Sequence, residues 1–167
     1  MKNKFIAVLG VCVLLQVPGT ALAGRDSVLE FRTMIGVSGV FLGAGFPIRD
    51  VAGGGRPWVL NEGRGELRAD GRLEVEVEGL IIPASEGSQF GRNPVPFFLA
   101  AVNCLTQESP EIGVTVFTQP AETEMIGDPQ NGDAKIDAQI ELPVQCFAPI
   151  VFVTSPNGAW FAVTGLD

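Results

Sequence analysis

The chain has 167 residues, 11 basic and 19 acidic, a net charge of −8, and neither histidine nor tyrosine. The acidity argues against binding nucleic acid, which needs clustered Lys and Arg on phosphates, and against adhesion to anionic lipid. The missing imidazole removes Ser–His and Cys–His nucleophile pairs, histidine-based zinc sites and the commonest general base near neutral pH.

Residues 1–23 read as an export signal. Lys2 and Lys4 form a positive start, Phe5 to Leu15 an apolar run, Pro18 and Gly19 a break, and Ala21-Leu22-Ala23 a small-x-small cleavage pattern. The apolar run is too short for a permanent anchor, which needs about 20 residues. The mature protein is therefore expected to begin near Gly24, to have no integral membrane segment, and to be secreted, periplasmic or at the cell surface. Residues 24–167 are expected to form one domain. Cleavage removes two lysines and leaves 9 basic against 19 acidic residues, a charge of −10.

Strand candidates follow from end to end, with no sustained helical period. The first is Val28 to Val37. After it comes a long connection, Val37 to Trp58, ending in Gly53-Gly54-Gly55-Arg56-Pro57-Trp58. Glycines allow close backbone approach, and Arg and Trp are common interface anchors. No Gly-Lys-Ser/Thr follows, so the segment is not a phosphate loop. The plainer reading, which is favoured, makes Trp58 a plug for the open end of a sandwich. The functional reading makes this the contact loop, with Arg56 and Trp58 as binding residues.

Val59 to Arg68 is the next candidate, and Leu73, Val75 and Val77 alternate with Glu74, Glu76 and Glu78 after it. A two-residue turn at Asp70-Gly71 would set Leu67 against Glu74. A three-residue loop, Ala69-Asp70-Gly71, sets Leu67 against Leu73 and Gly65 against Val75, which keeps one face apolar. That register also places Arg64 opposite Glu76, Arg68 diagonal to Glu74, and Glu66 opposite Glu74. The glutamate row reads as a solvated surface partly neutralised by arginine rather than as a metal site.

Phe97 to Leu105 and Ile112 to Thr118 are further strands, with loops at Pro83 to Pro96 and Gln119 to Asp133. Within the second loop, Gly127 to Asp137 superficially resembles a dockerin-type calcium loop. Starting from Asp128, however, the fifth position is Gly132 and the twelfth Gln139, where a bidentate Glu is required. A turn feeding the next strand is the better reading. That strand runs from Ala134 to Leu142, with Ala134, Ile136, Ala138, Ile140 and Leu142 on one face. The last two candidates, Ile150 to Thr154 and Trp160 to Thr164, are joined by a turn at Pro156-Asn157-Gly158. Trp160 and Phe161 should point to opposite faces, one in the core and one near the surface.

Cys12 falls in the leader, leaving Cys104 and Cys146 as an even pair in an oxidising compartment. With no C-x-x-C spacing, one structural disulfide is expected.

These signals predict an all-β fold: an antiparallel β-sandwich of the immunoglobulin-like or Greek-key type, with about seven to nine strands. The Cys–Trp–Cys order of a true immunoglobulin domain is missing. The expected function is a non-enzymatic, exported binding or structural module with an unknown protein or glycan partner. No cofactor, metal or catalytic residue is assigned. The binding candidates are Arg56, Trp58 and Trp160, with Asn93 to Pro96 joining them if the loops share one end. The alternative is a carboxylate-dependent glycan hydrolase, which needs two acids held about 5 to 9.5 Å apart in a cleft.

Overall fold

A computed structural model describes residues 26–88 and 90–164, so the export signal expected over residues 1–23 lies outside the described residues. Ten strands occur in chain order: β1 (Ser27–Phe31), β2 (Met34–Gly36), β3 (Glu62–Arg68), β4 (Arg72–Glu78), β5 (Leu99–Leu105), β6 (Val114–Phe117), β7 (Thr123–Met125), β8 (Ala134–Gln139), β9 (Phe147–Thr154) and β10 (Trp160–Thr164). They form two five-stranded antiparallel sheets, ordered β1-β3-β4-β8-β7 and β2-β10-β9-β5-β6. The result is a β-sandwich in which successive hairpins alternate between the sheets.

The β3–β4 hairpin has the three-residue register. Leu67 pairs with Leu73, Gly65 with Val75, and Arg64 with Glu76. Gly71 takes the left-handed position that the loop requires, with φ +88°, and its N–H donates to the Arg68 carbonyl at 2.9 Å. The apolar face continues into β8, where Val75 meets Ile136 and Val77 meets Ala134. Strict alternation of buried and exposed residues along β4 and β8 follows from one sheet face meeting the core and the other water.

The strand count exceeds the expectation for identifiable reasons. Val28 to Val37 is not one strand: the chain turns at Arg32-Thr33 and passes from the first sheet to the second. Phe31 and Met34 are both buried, and a spacing of three cannot keep both on one face of a straight strand. β7 lies inside the segment expected to be loop. Its three residues are too few to show a period.

Cys104 and Cys146 form the disulfide, with their Cα atoms 4.8 Å apart, tying the end of β5 to the approach to β9. A closed loop of 42 residues stabilises the fold by about 4 kcal/mol in the chain-entropy account.

The centre of the second sheet is buried on both sides. Six residues of β5, Leu99 to Cys104, are buried in succession, as are Val151 to Thr154 of β9 and Trp160 to Val163 of β10. One side meets the first sheet. Residues 38–54 cross the other as a strap, setting Phe41 against Trp160 and Arg49 against Asn103. The expected split between Trp160 and Phe161 is therefore corrected: both are buried, because each face of their strand has its own cover.

Candidate functional site

The glycine-rich loop is built by close packing. The Gly54 N–H donates to the Trp160 carbonyl at 2.8 Å, and the Trp160 N–H donates to Ala52 at 2.9 Å, so the loop extends the second sheet beside β10. A Cβ on Gly53 would overlap the Phe41 carbonyl, and one on Gly54 would press on the Phe161 ring at 3.0 Å. The glycines are there because backbone has to lie where a side chain would collide.

The three candidate binding residues separate. Trp58 is 3% exposed, stacked on Phe161 at 3.8 Å between centroids and edge-on to Phe98 at 6.2 Å. Trp160 is 2% exposed, against Phe152 on its own sheet and Phe41 of the strap. Arg56 alone is exposed, with its guanidinium 4.7 Å from the centre of the Phe90 ring. That contact joins the glycine-rich loop to the 83–96 loop. Asn93, itself buried, donates from Nδ2 to the carbonyls of Val95 and Pro129, linking the same region to the 119–133 loop. The loops therefore meet at one end of the sandwich, where Arg56 is exposed together with Glu86 and Arg92 of the 83–96 loop.

The strap is a second candidate surface, and the sequence reading passed over it. Residues 33–48 contain no charged side chain. Val40 is 63% exposed and Phe46 62%, with Phe41 and Ile35 also open. The strap's backbone is bonded within itself, Phe41 N–H to Ser38, Leu42 N–H to Gly39 and Gly43 N–H to Gly54, and its two ends are held to β10 by Val37 N–H to Phe161, Gly54 N–H to Trp160 and Trp160 N–H to Ala52. At its far end Arg49 and Asp50 form a two-residue turn, with Ile48 and Val51 exchanging hydrogen bonds of 3.1 and 3.0 Å. Both turn residues have positive φ, 47° and 66°, where Asn-Gly is the usual pair. Such positions cost about 1–3 kcal/mol each. Gln145 and Ala148, the other described non-glycine residues with positive φ, lie beside the disulfide at this same junction.

Arg49 holds that junction together. Its Nη1 donates to the Ala148 carbonyl at 2.6 Å, to Asn103 Oδ1 at 3.2 Å and to the Asn103 carbonyl at 3.4 Å. Burial lowers the Arg49 guanidinium from its ordinary value. Asn103 is fully buried and spends its own Nδ2 on Ile112 and Thr115. The only advance signal was the unbroken uncharged stretch ending at an arginine.

The outer face of the first sheet is a charged ladder. Arg64 lies 2.7 Å from Glu76 and 2.8 Å from Glu62; Arg72 lies 2.9 Å from Glu74 and 3.3 Å from Asp137. Arg68 pairs with Glu66 on its own strand at 3.0 Å rather than diagonally with Glu74. Glu66 and Glu74 do face each other, and each has its own arginine. The hydrogen bond that Arg64 donates to Glu62, with the charge of Glu76, raises the pKa of the Arg64 guanidinium above its ordinary value. An open groove of about 590 Å³ crosses this face, lined by Glu30, Glu62, Glu66, Glu74 and Glu76 among others. The carboxylates of this groove are engaged by arginines, and a smaller cleft of about 280 Å³ lies beside Glu122, Glu124 and Asp137.

The calcium-like segment is used structurally. Asp128 caps a short turn by accepting from the Gln130 N–H at 2.9 Å, and Asp133 accepts from the Gly79 N–H at 2.7 Å. Among the described residues no helix is long and apolar enough to cross a membrane. No family model, curated protein or solved structure matches the chain.

Proposed function

We propose that this protein is an exported, non-enzymatic binding module that engages a protein partner through the strapped face of its second sheet. The export signal of residues 1–23 and the Cys104–Cys146 disulfide support a site of action outside the cytoplasm, at the cell surface or in an extracytoplasmic space. The observation that carries the reading is the exposure of Val40, Phe41 and Phe46 on a strap whose backbone is otherwise tied down. Exposed apolar patches on a folded surface mark interaction sites, and an ordered backbone lowers the entropy lost on binding.

A protein suits this surface better than a glycan. Sugar platforms use exposed aromatic rings of Trp and Tyr; here both indoles are buried and there is no Tyr. Arg56, beside Phe90 at the loop end, is the one charged candidate from the sequence that stays available for the rim of such a contact.

The test uses residues 24–167 as bait against the native envelope or culture medium. Phe46→Asp, with an unchanged thermal melt, should lose a partner that the unaltered bait retains. A partner held equally by both baits would move the contact off the strap. Retention by Phe46→Asp but not by Arg56→Ala would place it at the loop end.

A further inference from the structure

We propose that β6 is the interface of a closed, two-fold dimer of this chain, in which the second sheets of two copies join edge to edge. Each sheet has two edge strands, and the four are not alike. β1 carries Glu30 and has a register shift between Ser27 and Leu29. β7 is three residues long with Glu124 at its centre, and β2 is also three residues long. Charges, irregular pairing and shortness all discourage a further strand from adding to an edge. β6, Val114-Thr115-Val116-Phe117, has no charge and no proline, pairs with β5 without a shift, and exposes Val114 and Phe117. Ile112, just before it, is exposed too.

The backbone register makes the outer side of β6 self-complementary. The Thr118 N–H donates inward to Ala100 at 2.9 Å. Val116 and Val114 therefore also turn their backbone groups towards β5, while Thr115 and Phe117 turn theirs outward. A two-fold axis through Val116 brings Thr115 opposite Phe117 of the second copy. Each pair then exchanges N–H to carbonyl hydrogen bonds in both directions. The two Val116 residues face each other as a non-hydrogen-bonded pair, whose Cα atoms lie about 4.5 Å apart in such ladders.

The paired segment itself, Val114 to Phe117, carries no charge, so no carboxylate lies within the ladder; Glu111 and Glu122 sit in the turns that flank it. The interface is isologous and consumes the edge it uses, so it closes as a dimer and does not grow into a fibre. A second copy fits this edge because the same uncharged strand meets it in register, Val116 on Val116 and Thr115 on Phe117, with the outward groups of both copies satisfied at once.

Val116→Cys tests the geometry under mild oxidation, because two thiols at this pairing are within disulfide reach. A covalent dimer should form, and Glu124→Cys on the β7 edge should give none. Sedimentation of the unaltered protein should show a reversible dimer. Phe117→Pro should abolish it, since that N–H points away from β5 and its loss leaves the β5–β6 ladder intact. A monomer at every concentration, or Val116→Cys cross-linking no more than Glu124→Cys, would overturn the proposal. If Phe117→Pro does not fold, the comparison of the two cysteine variants decides alone.

Discussion

The two outer faces of this sandwich solve the same problem in opposite ways. The first sheet turns its back to water and covers it with paired charges, so its strands alternate buried and exposed residues one by one. The second is roofed by residues 38–54, so β5, β9 and β10 are buried on both faces and lose the alternation. A charged back is cheap to maintain and tolerant of change, because exposed ion pairs contribute little. A roofed back stabilises through packing, and the roof itself presents the uncharged surface carrying Val40, Phe41 and Phe46.

The largest test of that difference is Trp160→Ala. The indole lies beneath the strap between Phe152 and Phe41, so truncation should cost about 3–5 kcal/mol, read from urea or guanidinium denaturation. A loss below about 0.5 kcal/mol, the range of ordinary surface substitutions, would mean that the strap is a loose flap and the second sheet is in effect one-sided.

Arg49→Ala sharpens the same comparison at the strap's fastening. It removes the donor to Ala148 and Asn103 and leaves the buried Asn103 Oδ1 without that partner, an effect of about 1–3 kcal/mol. Hydrogen exchange should speed up in residues 38–54 and not in β3 or β4. Arg49→Gly should be less destabilised than Arg49→Ala, since glycine accepts the positive φ of this turn without strain. Equal losses in the two variants would show that the turn stores no strain.

How much was legible in the chain tracks these two faces. Glu74, Glu76 and Glu78 between Leu73, Val75 and Val77 announce a half-buried strand, and keeping Leu67 off Glu74 chose the hairpin register. The disulfide followed from an even pair of cysteines in a domain expected to be exported. The strap was not legible: residues 33–48 have neither a period of two nor charge, and nothing local says which sheet they will cover. For the same reason Trp160 and Phe161 could be assigned to opposite faces, while the burial of both depended on a distant segment. Trp58 offered two readings because an Arg-Pro-Trp end to a glycine loop suits a contact as well as a plug; its stacking on Phe161 places the ring in the core. Arg49 was overlooked because a single arginine in a loop has no local signature; its role comes from Asn103 and Ala148, which lie 54 and 99 positions away.

The smallest effect belongs to the other face, and Arg64→Ala measures it. Arg64 has more carboxylate neighbours than any other described arginine, within reach of Glu62, Glu76 and Glu78. Counting contacts would make it a keystone of the first sheet. Its guanidinium is open to solvent, however, so ions screen these attractions and water replaces them when they are lost. The apolar side of the same strands, Leu67 against Leu73 and Gly65 against Val75, keeps its packing whether or not the arginine is present. The denaturation midpoint of Arg64→Ala should therefore stay within the scatter of wild-type replicates, at low salt as at high. A midpoint that falls at low salt and recovers as salt is added would instead show the ladder acting as a connected network, and the charged back would then share in holding the sandwich together.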